Sequence, residues 1–176
     1  VCFTDSDCKV HENWISQGVK ALMAHRADLV GGNVVLVFSR QQRASEFYDA
    51  ITNFGIDAAV HQRGVCKTVN LFVKKKVIQK IGGFPGQLKS GGDVYFSALA
   101  VKNGYKLIYS PEAIVYHPTR RFWELLKKAY RVGGGKGQMY KIPKSIIKEL
   151  DPKIFQSRSW WEHLNPLDIK RRLKKN

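Results

Sequence analysis

Two periods organise the apolar positions of this chain. A period near 3.6 marks amphipathic helices, and a period of two, or a short unbroken apolar run, marks strands. Residues 1–4, Val-Cys-Phe-Thr, form such a run and end at Asp5. A helix is predicted over 12–25, with Trp14, Val19, Leu22 and Met23 near one face. Residues 28–32 end in Gly31-Gly32 and read as a break, followed by a β-rich run over 33–39. Residues 41–54 are helical by pattern: Phe47, Ala50, Ile51 and Phe54 recur at helical spacing, and Gly55 stands where a stop belongs. The alternation of Val65, Lys67, Val69, Leu71 and Val73 predicts a strand over 65–73. A short basic helix over 74–81 then runs into the turn sequence Gly82-Gly83-Phe84-Pro85-Gly86.

The second half continues the alternation. Gly91-Gly92-Asp93 precedes a helix over 94–103, closed by Gly104. Two short strands, 106–109 and 113–116, are separated by Ser110-Pro111-Glu112 and end at His117-Pro118. An amphipathic helix opens at Thr119, with Phe122, Leu125, Leu126, Ala129 and Tyr130 on one face and Arg121, Lys127, Lys128 and Arg131 on the rest. The run Gly133-Gly134-Gly135-Lys136-Gly137 is expected to stop it. From 140 onward the chain is a basic tail punctuated by prolines, with Phe155 and Trp160-Trp161 as apolar anchors. Strands alternating with helices predict an α/β layer structure, a mixed sheet flanked by helices.

Charge changes this picture more than composition does. The 176 residues are 44% apolar and 25% charged, ordinary for a globular domain. No apolar run approaches the ~18 residues of a membrane-spanning helix. Lys and Arg number 30 against 14 acidic residues, net +16. Residues 118–176 alone carry 16 basic and 5 acidic residues, net +11. Such a tail fits a polyanion: lipid headgroups, nucleic acid or a phosphorylated substrate. Three cysteines without a C-x-x-C pair argue against a disulfide scaffold and for a reducing compartment.

Three features could carry chemistry. Asp5-Ser6-Asp7 lies just past the first strand, and ligands of open α/β sheets bind beyond the carboxyl ends of strands. Two carboxylates so spaced can approach one hard divalent cation, although turns and helix caps use Asp as often. Asp93 stands at a helix start, where it can serve as N-cap, as general base or as both. His117, fixed by Pro118, could complete a metal site with the Asp pair.

In combination, "VCFTDSDC", "LVGGNV" and the stretch from Asn70 to His117 with its "IGGFPG" loop resemble the catalytic half of a family 2 inverting glycosyltransferase of the GT-A fold. The resemblance covers residues 1 to about 137 in order and spacing. It implies that Asp7 is the direct ligand of a divalent cation, Mn²⁺ or Mg²⁺, with Asp5 nearer the ribose and metal and His117 as a further ligand. It implies Asp93 as the general base. It also implies a donor- and acceptor-lining set of Asn70, Gly82, Gly83, Phe84, Gly92 and, on the helix after His117, Arg131. Lys128 and Val132 stand where processive synthases carry the Gln and Trp of a Gln-x-x-Arg-Trp motif, which favours transfer of single sugars. The Glu usual before the base is Gly92 here. The family's first βαβ unit does not precede Val1, so the chain is expected to be an N-terminally truncated piece, inactive by itself, of an active parent.

Two regions are expected on this basis: a partial catalytic domain over 1–118 and a basic, membrane-apposed helix and tail over 119–176. The partners implied are a nucleotide-diphosphate sugar and a saccharide or lipid-linked acceptor, at the cytoplasmic, inner face of an anionic membrane. The competing reading is a non-catalytic basic module binding membrane or nucleic acid. Nucleic acid is the weaker partner, because the tail aromatics are not spaced as a base-stacking platform. A Trp pair beside Lys and Arg suits a membrane interface better.

Overall fold

The computed structural model describes residues 1–139. Five strands form one mixed sheet: β1 (Cys2–Thr4), β2 (Lys9–Val10), β3 (Leu29–Val37), β4 (Asn70–Val73) and β5 (Leu107–Pro118). Their order across the sheet is β1-β4-β3-β5-β2. Strand β4 runs antiparallel to both β1 and β3, and β3 runs parallel to β5. Strands β1, β3 and β5 therefore point the same way, and their carboxyl ends share one edge of the sheet. The helices are α1 (Trp14–Ala24), α2 (Ala44–Thr52), α3 (Ile56–Arg63), α4 (Lys75–Ile81), α5 (Gly92–Lys102) and α6 (Phe122–Met139). The core lies on both faces of the sheet. Leu29, Leu71, Val73, Val77 and Phe96 fill one cluster, and Trp14, Val30, Phe72 and Val115 the other.

Several elements differ from the sequence reading, each for a packing reason. Gly31 and Gly32 are no break but buried positions inside β3. A Cβ on Gly31 would lie 2.8 Å from Cys66 Sγ, and one on Gly32 2.4 Å from the Ala113 carbonyl oxygen. These glycines are there for close approach rather than for a turn. The two predicted strands over 106–116 are one long β5 with an irregularity: Gly32 pairs with Ser110 but Asn33 with Ile114. The predicted strand over 65–73 shortens to Asn70–Val73. Strand β2 and helix α3 carry too little periodicity to have been foreseen. The glycine run after Val132 does not stop α6, which continues to Met139.

The buried faces of two helices also differ. Helix α1 buries Trp14, Gly18 and Ala21, while Val19 and Met23 are exposed. Only a residue without a Cβ fits at Gly18, where that atom would come 2.3 Å from the Phe72 ring. Helix α2 buries Glu46, Asp49 and Ala50, leaving Phe47 and Tyr48 in solvent. A helix turning carboxylates inward needs donors waiting for them, and those donors lie at the sheet edge that carries the site.

Candidate active site

The parallel run of β1 and β5 brings Asp5 and Asp7, just past β1, to His117 near the end of β5. His117 is fully buried, and its Nε2 lies 3.6 Å from Asp7 Oδ1 and 4.0 Å from Asp5 Oδ2. Its Nδ1 is 2.6 Å from the Pro118 carbonyl, which can only accept, so Nδ1 carries the proton and Nε2 the lone pair. The Arg120 Nη2 group donates to that Nε2 at 2.9 Å. Asp7 is about half exposed. Burial, with the like charges of Asp7 and Asp93, raises the Asp5 pKa from its ordinary value.

Asp93 is the second residue of α5, inside its first turn; the N-cap position belongs to Gly91, so Asp93 is not the cap the sequence suggests. Its Oδ1 accepts the Val94 N–H at 2.9 Å and its Oδ2 the Thr68 N–H at 3.2 Å. Both bonds orient the carboxylate. It lies close enough to Asp5 to influence its ionisation. Three separate elements thus place Asp5, Asp7, His117 and Asp93 around one region.

The donor set fits a divalent cation. The ligating atoms of Asp7, Cys8 and His117 all lie within 4.8 Å of one another, and Asp5 adds a further carboxylate beside Nε2. Cys8 is a member that sequence reasoning passed over; burial pushes its thiol pKa up.

The lining residues divide. Gly82 and Gly83 have positive φ values of 88° and 75°, and a Cβ on either would meet nothing within 4 Å, so this loop presents open backbone. The Phe84 ring instead plugs the core, edge-on to Phe3 at 5.2 Å and against Phe96 at 4.7 Å. Gly92 begins α5 with room for a side chain, its nearest neighbour being Pro85 at 3.6 Å. Asn70 differs from its expected role. It is fully buried, its Nδ2 donates to the carbonyls of Asn33 and Ala113, and its Oδ1 accepts the Trp14 indole N–H. Its Nδ2 ties the two sides of the β3–β5 irregularity and its Oδ1 anchors α1 to the sheet, so Asn70 braces the fold.

Beside His117 the structure adds a basic wall. The Phe54 ring packs on the imidazole at 4.4 Å, and Arg120, Lys128 and Lys67 lie over that ring at 4.9, 5.2 and 5.7 Å. Phe54 holds φ of 55°, a strained value for a bulky residue and characteristic of functional regions. Burial lowers the Lys67 pKa, and burial with Arg120 lowers that of Lys128 to about 7. Arg131 is exposed on α6 and contributes to the field at Lys128.

The wall is held by the inward carboxylates of α2. Asp49 accepts the Arg120 backbone N–H at 2.9 Å and lies 3.5 Å from its Nη1 and 3.8 Å from Lys128 Nζ. Glu46 accepts from Ser39, Arg43 and Thr119 at 2.7–2.8 Å, which drops its pKa to about 2. The one trace of them in the sequence is two carboxylates three residues apart on one helix, which does not by itself mark burial.

Comparison with known proteins accords with this geometry. The family model described as glycosyl transferase family group 2 matches residues 1–165. The chain is 39% identical over 160 residues to glycosyltransferase AglE of Haloferax volcanii, covering 91% of this chain and 51% of that protein. It therefore spans about half the length of the curated relative it matches. In fold it resembles the mannosyltransferase PcManGT of Pyrobaculum calidifontis, solved with GDP-Man and Mn²⁺. That likeness has a TM-score of 0.56 at 17% identity and covers 98% of this chain and 47% of the other. TarS of S. aureus, solved with UDP-GlcNAc, aligns with a TM-score of 0.47 at 20% identity, over 69% of this chain and 35% of that one. The mixed sheet flanked by helices is a GT-A-like architecture, and with its family model matched over nearly its whole length the chain belongs to glycosyl transferase family group 2.

Proposed function

We propose that this chain forms the catalytic, acceptor-side part of a metal-dependent inverting glycosyltransferase. The reaction moves a sugar from a nucleotide-diphosphate donor to a hydroxyl of a saccharide or lipid-linked acceptor, in cell-surface polysaccharide or glycolipid synthesis. The observation that carries this reading is the convergence of Asp5, Asp7 and His117 beside Asp93, from three elements, at the carboxyl edge of the sheet. The mannosyltransferase of similar fold holds a nucleotide sugar and Mn²⁺, which supports the same class of donor and cofactor here.

Asp93 takes the proton of the acceptor hydroxyl as that oxygen attacks the anomeric carbon from the face opposite the leaving group. The backbone N–H groups of Thr68 and Val94 hold its carboxylate in place for that step. Asp5, Asp7 and His117 would hold the divalent cation, which when bound would supply Lewis-acid neutralisation of charge on the leaving diphosphate. Arg120 extends that positive field along the Phe54 ring, and Lys67 and Lys128 add to it when protonated. Gly82 and Gly83 leave space for the reacting groups.

In an active polypeptide containing this chain, Asp93→Asn should lower kcat by about 10²–10⁴, the range for loss of general base help, and leave donor KM nearly unchanged. Retained turnover would overturn the assignment, and a matching loss of donor affinity would make Asp93 a binding residue.

The site works beside an anionic, cytoplasmic membrane face in this proposal. Support comes from α6, where Phe122, Trp123, Leu126 and Tyr130 are exposed among basic side chains, and from the net charge of +11 over 118–176. The tail anchors Phe155, Trp160 and Trp161 lie outside the described residues. Vesicles containing anionic lipid should bind the chain and blue-shift its Trp emission, and Trp123→Ser should weaken this; equal binding to neutral vesicles would defeat the idea.

A further inference from the structure

Cys8 is left over by the mechanism just derived, yet it sits inside the site. Its N–H donates to the Asp5 carbonyl at 3.1 Å, closing the turn that leaves β1. That turn presents the Asp7 carboxylate and the Cys8 thiol side by side toward His117. Three chemically different donors, an oxygen, a sulfur and an imidazole nitrogen, then lie within 4.8 Å of one another. The remaining cysteines are elsewhere, Cys2 exposed on β1 and Cys66 buried in the core.

Donor identity selects the metal. Carboxylate oxygens and water suit Mg²⁺ and Mn²⁺, whereas a thiolate selects thiophilic ions. Zinc bonds of about 2.0–2.3 Å draw their ligands to roughly 3–4 Å apart. The present set needs to contract by only about 1 Å to reach that, and Asp7, about half exposed, is free to move. The imidazole is already oriented, since its Nδ1–H is committed to the Pro118 carbonyl and its Nε2 lies 3.6 Å from Asp7 Oδ1. The Arg120 Nη2 group occupies the Nε2 lone pair in this structure. A cation taking that lone pair must first displace the guanidinium end, which can swing away while the backbone bond of Arg120 to Asp49 stays in place.

We propose that Asp7, Cys8 and His117 form a three-donor site for thiophilic divalent cations, Zn²⁺ foremost, which compete there with Mn²⁺ or Mg²⁺. This rests on the reading of Asp7 and His117 as metal ligands and adds what Cys8 does to that site. As the sulfur–metal bond forms, the thiol proton leaves to solvent and no redox partner is needed. The consequence is regulatory: free zinc holds the site in a form in which the oxygen-preferring ion is excluded.

The test uses the 176-residue chain in a Cys2→Ser background, with far-ultraviolet circular dichroism as the check on folding. Cd²⁺ is titrated as the spectroscopic stand-in for Zn²⁺, followed by its sulfur-to-metal charge-transfer absorption. Free Mn²⁺ is followed separately by electron paramagnetic resonance. A band saturating at one equivalent is expected, with Zn²⁺ displacing Mn²⁺. Cys8→Ser should abolish the band and weaken Cd²⁺ binding by at least about 100-fold, since losing a direct ligand costs no less than losing an outer-shell partner, while Mn²⁺, which prefers oxygen donors, loses less than about 10-fold. A band that persists in Cys8→Ser, or never forms, overturns the proposal. Mn²⁺ binding that survives Asp7→Asn overturns the underlying metal reading instead.

Discussion

Two carboxylate pairs sit at the same edge of this sheet and have opposite fates. Asp5 and Asp7 lie two residues apart in a turn, partly exposed, facing each other's charge and the lone pair of His117. Glu46 and Asp49 lie three apart on α2, wholly buried, each surrounded by hydrogen-bond donors. The environment marks the difference in ionisation: Asp5 is raised, chiefly by burial, whereas Glu46 falls to about 2, chiefly through its Thr119 bond. Carboxylates short of donors are the ones left to take a cation. Carboxylates rich in donors are structural, however deeply they are buried.

The largest effect expected from this contrast is on stability at the buried pair. Asp49→Ala leaves the Arg120 N–H without its acceptor and removes the carboxylate charge beside the Arg120 and Lys128 side chains. Removing one partner of a buried ionic cluster costs about 3–5 kcal/mol, and urea denaturation should read the low end because Arg120 and Lys128 retain some solvent contact. Thr119→Val removes one of four donors to Glu46 and should cost about 1.5 kcal/mol, the low end for a bond to a charged group. A smaller effect separates the pairs by pH. Glu46 contributes stability that is full above its ordinary pKa near 4.5 and lost as pH falls toward 2. Thr119→Val should therefore shift acid unfolding to higher pH. Asp5 acts in the opposite sense, because its raised pKa makes its contribution fade as pH rises through the folded value. Asp5→Asn should thus leave neutral-pH stability unchanged or slightly increased; a marked loss there would erase the distinction between the two pairs.

The legible part of the molecule was the part with short-range signatures. The Asp5-Ser6-Asp7 turn, Asp93 at a helix start and His117 before Pro118 could each be picked out, and their order carried the family resemblance. What stayed hidden depends on partners distant in the chain. The inward face of α2 looked apolar because Phe47 and Ile51 fit the period, yet Ser39, Arg43, Thr119 and Arg120 supply the donors that turn Glu46 and Asp49 inward. The family resemblance puts Asn70 in the donor- and acceptor-lining set, but its side chain is spent on Trp14, Asn33 and Ala113, which are 56, 37 and 43 residues away. Gly31-Gly32 read as punctuation because glycine usually is, whereas here it answers to Cys66, Ile56 and Asn70 pressing on β3. Phe54, whose left-handed backbone points its ring at His117, was absorbed into a predicted helix that ends two residues earlier.

The central claim is that the exposed pair, with His117, holds a divalent cation. Paramagnetic broadening of histidine ring resonances by substoichiometric Mn²⁺ tests it most directly, since the chain has five histidines and only His117 adjoins Asp5 and Asp7 among those described. Selective loss of the His117 resonance at low Mn²⁺, abolished by Asp7→Asn but not by Thr119→Val, is the predicted result. A His117 resonance that stays sharp while the exposed His11, His25 or His61 broaden would contradict it.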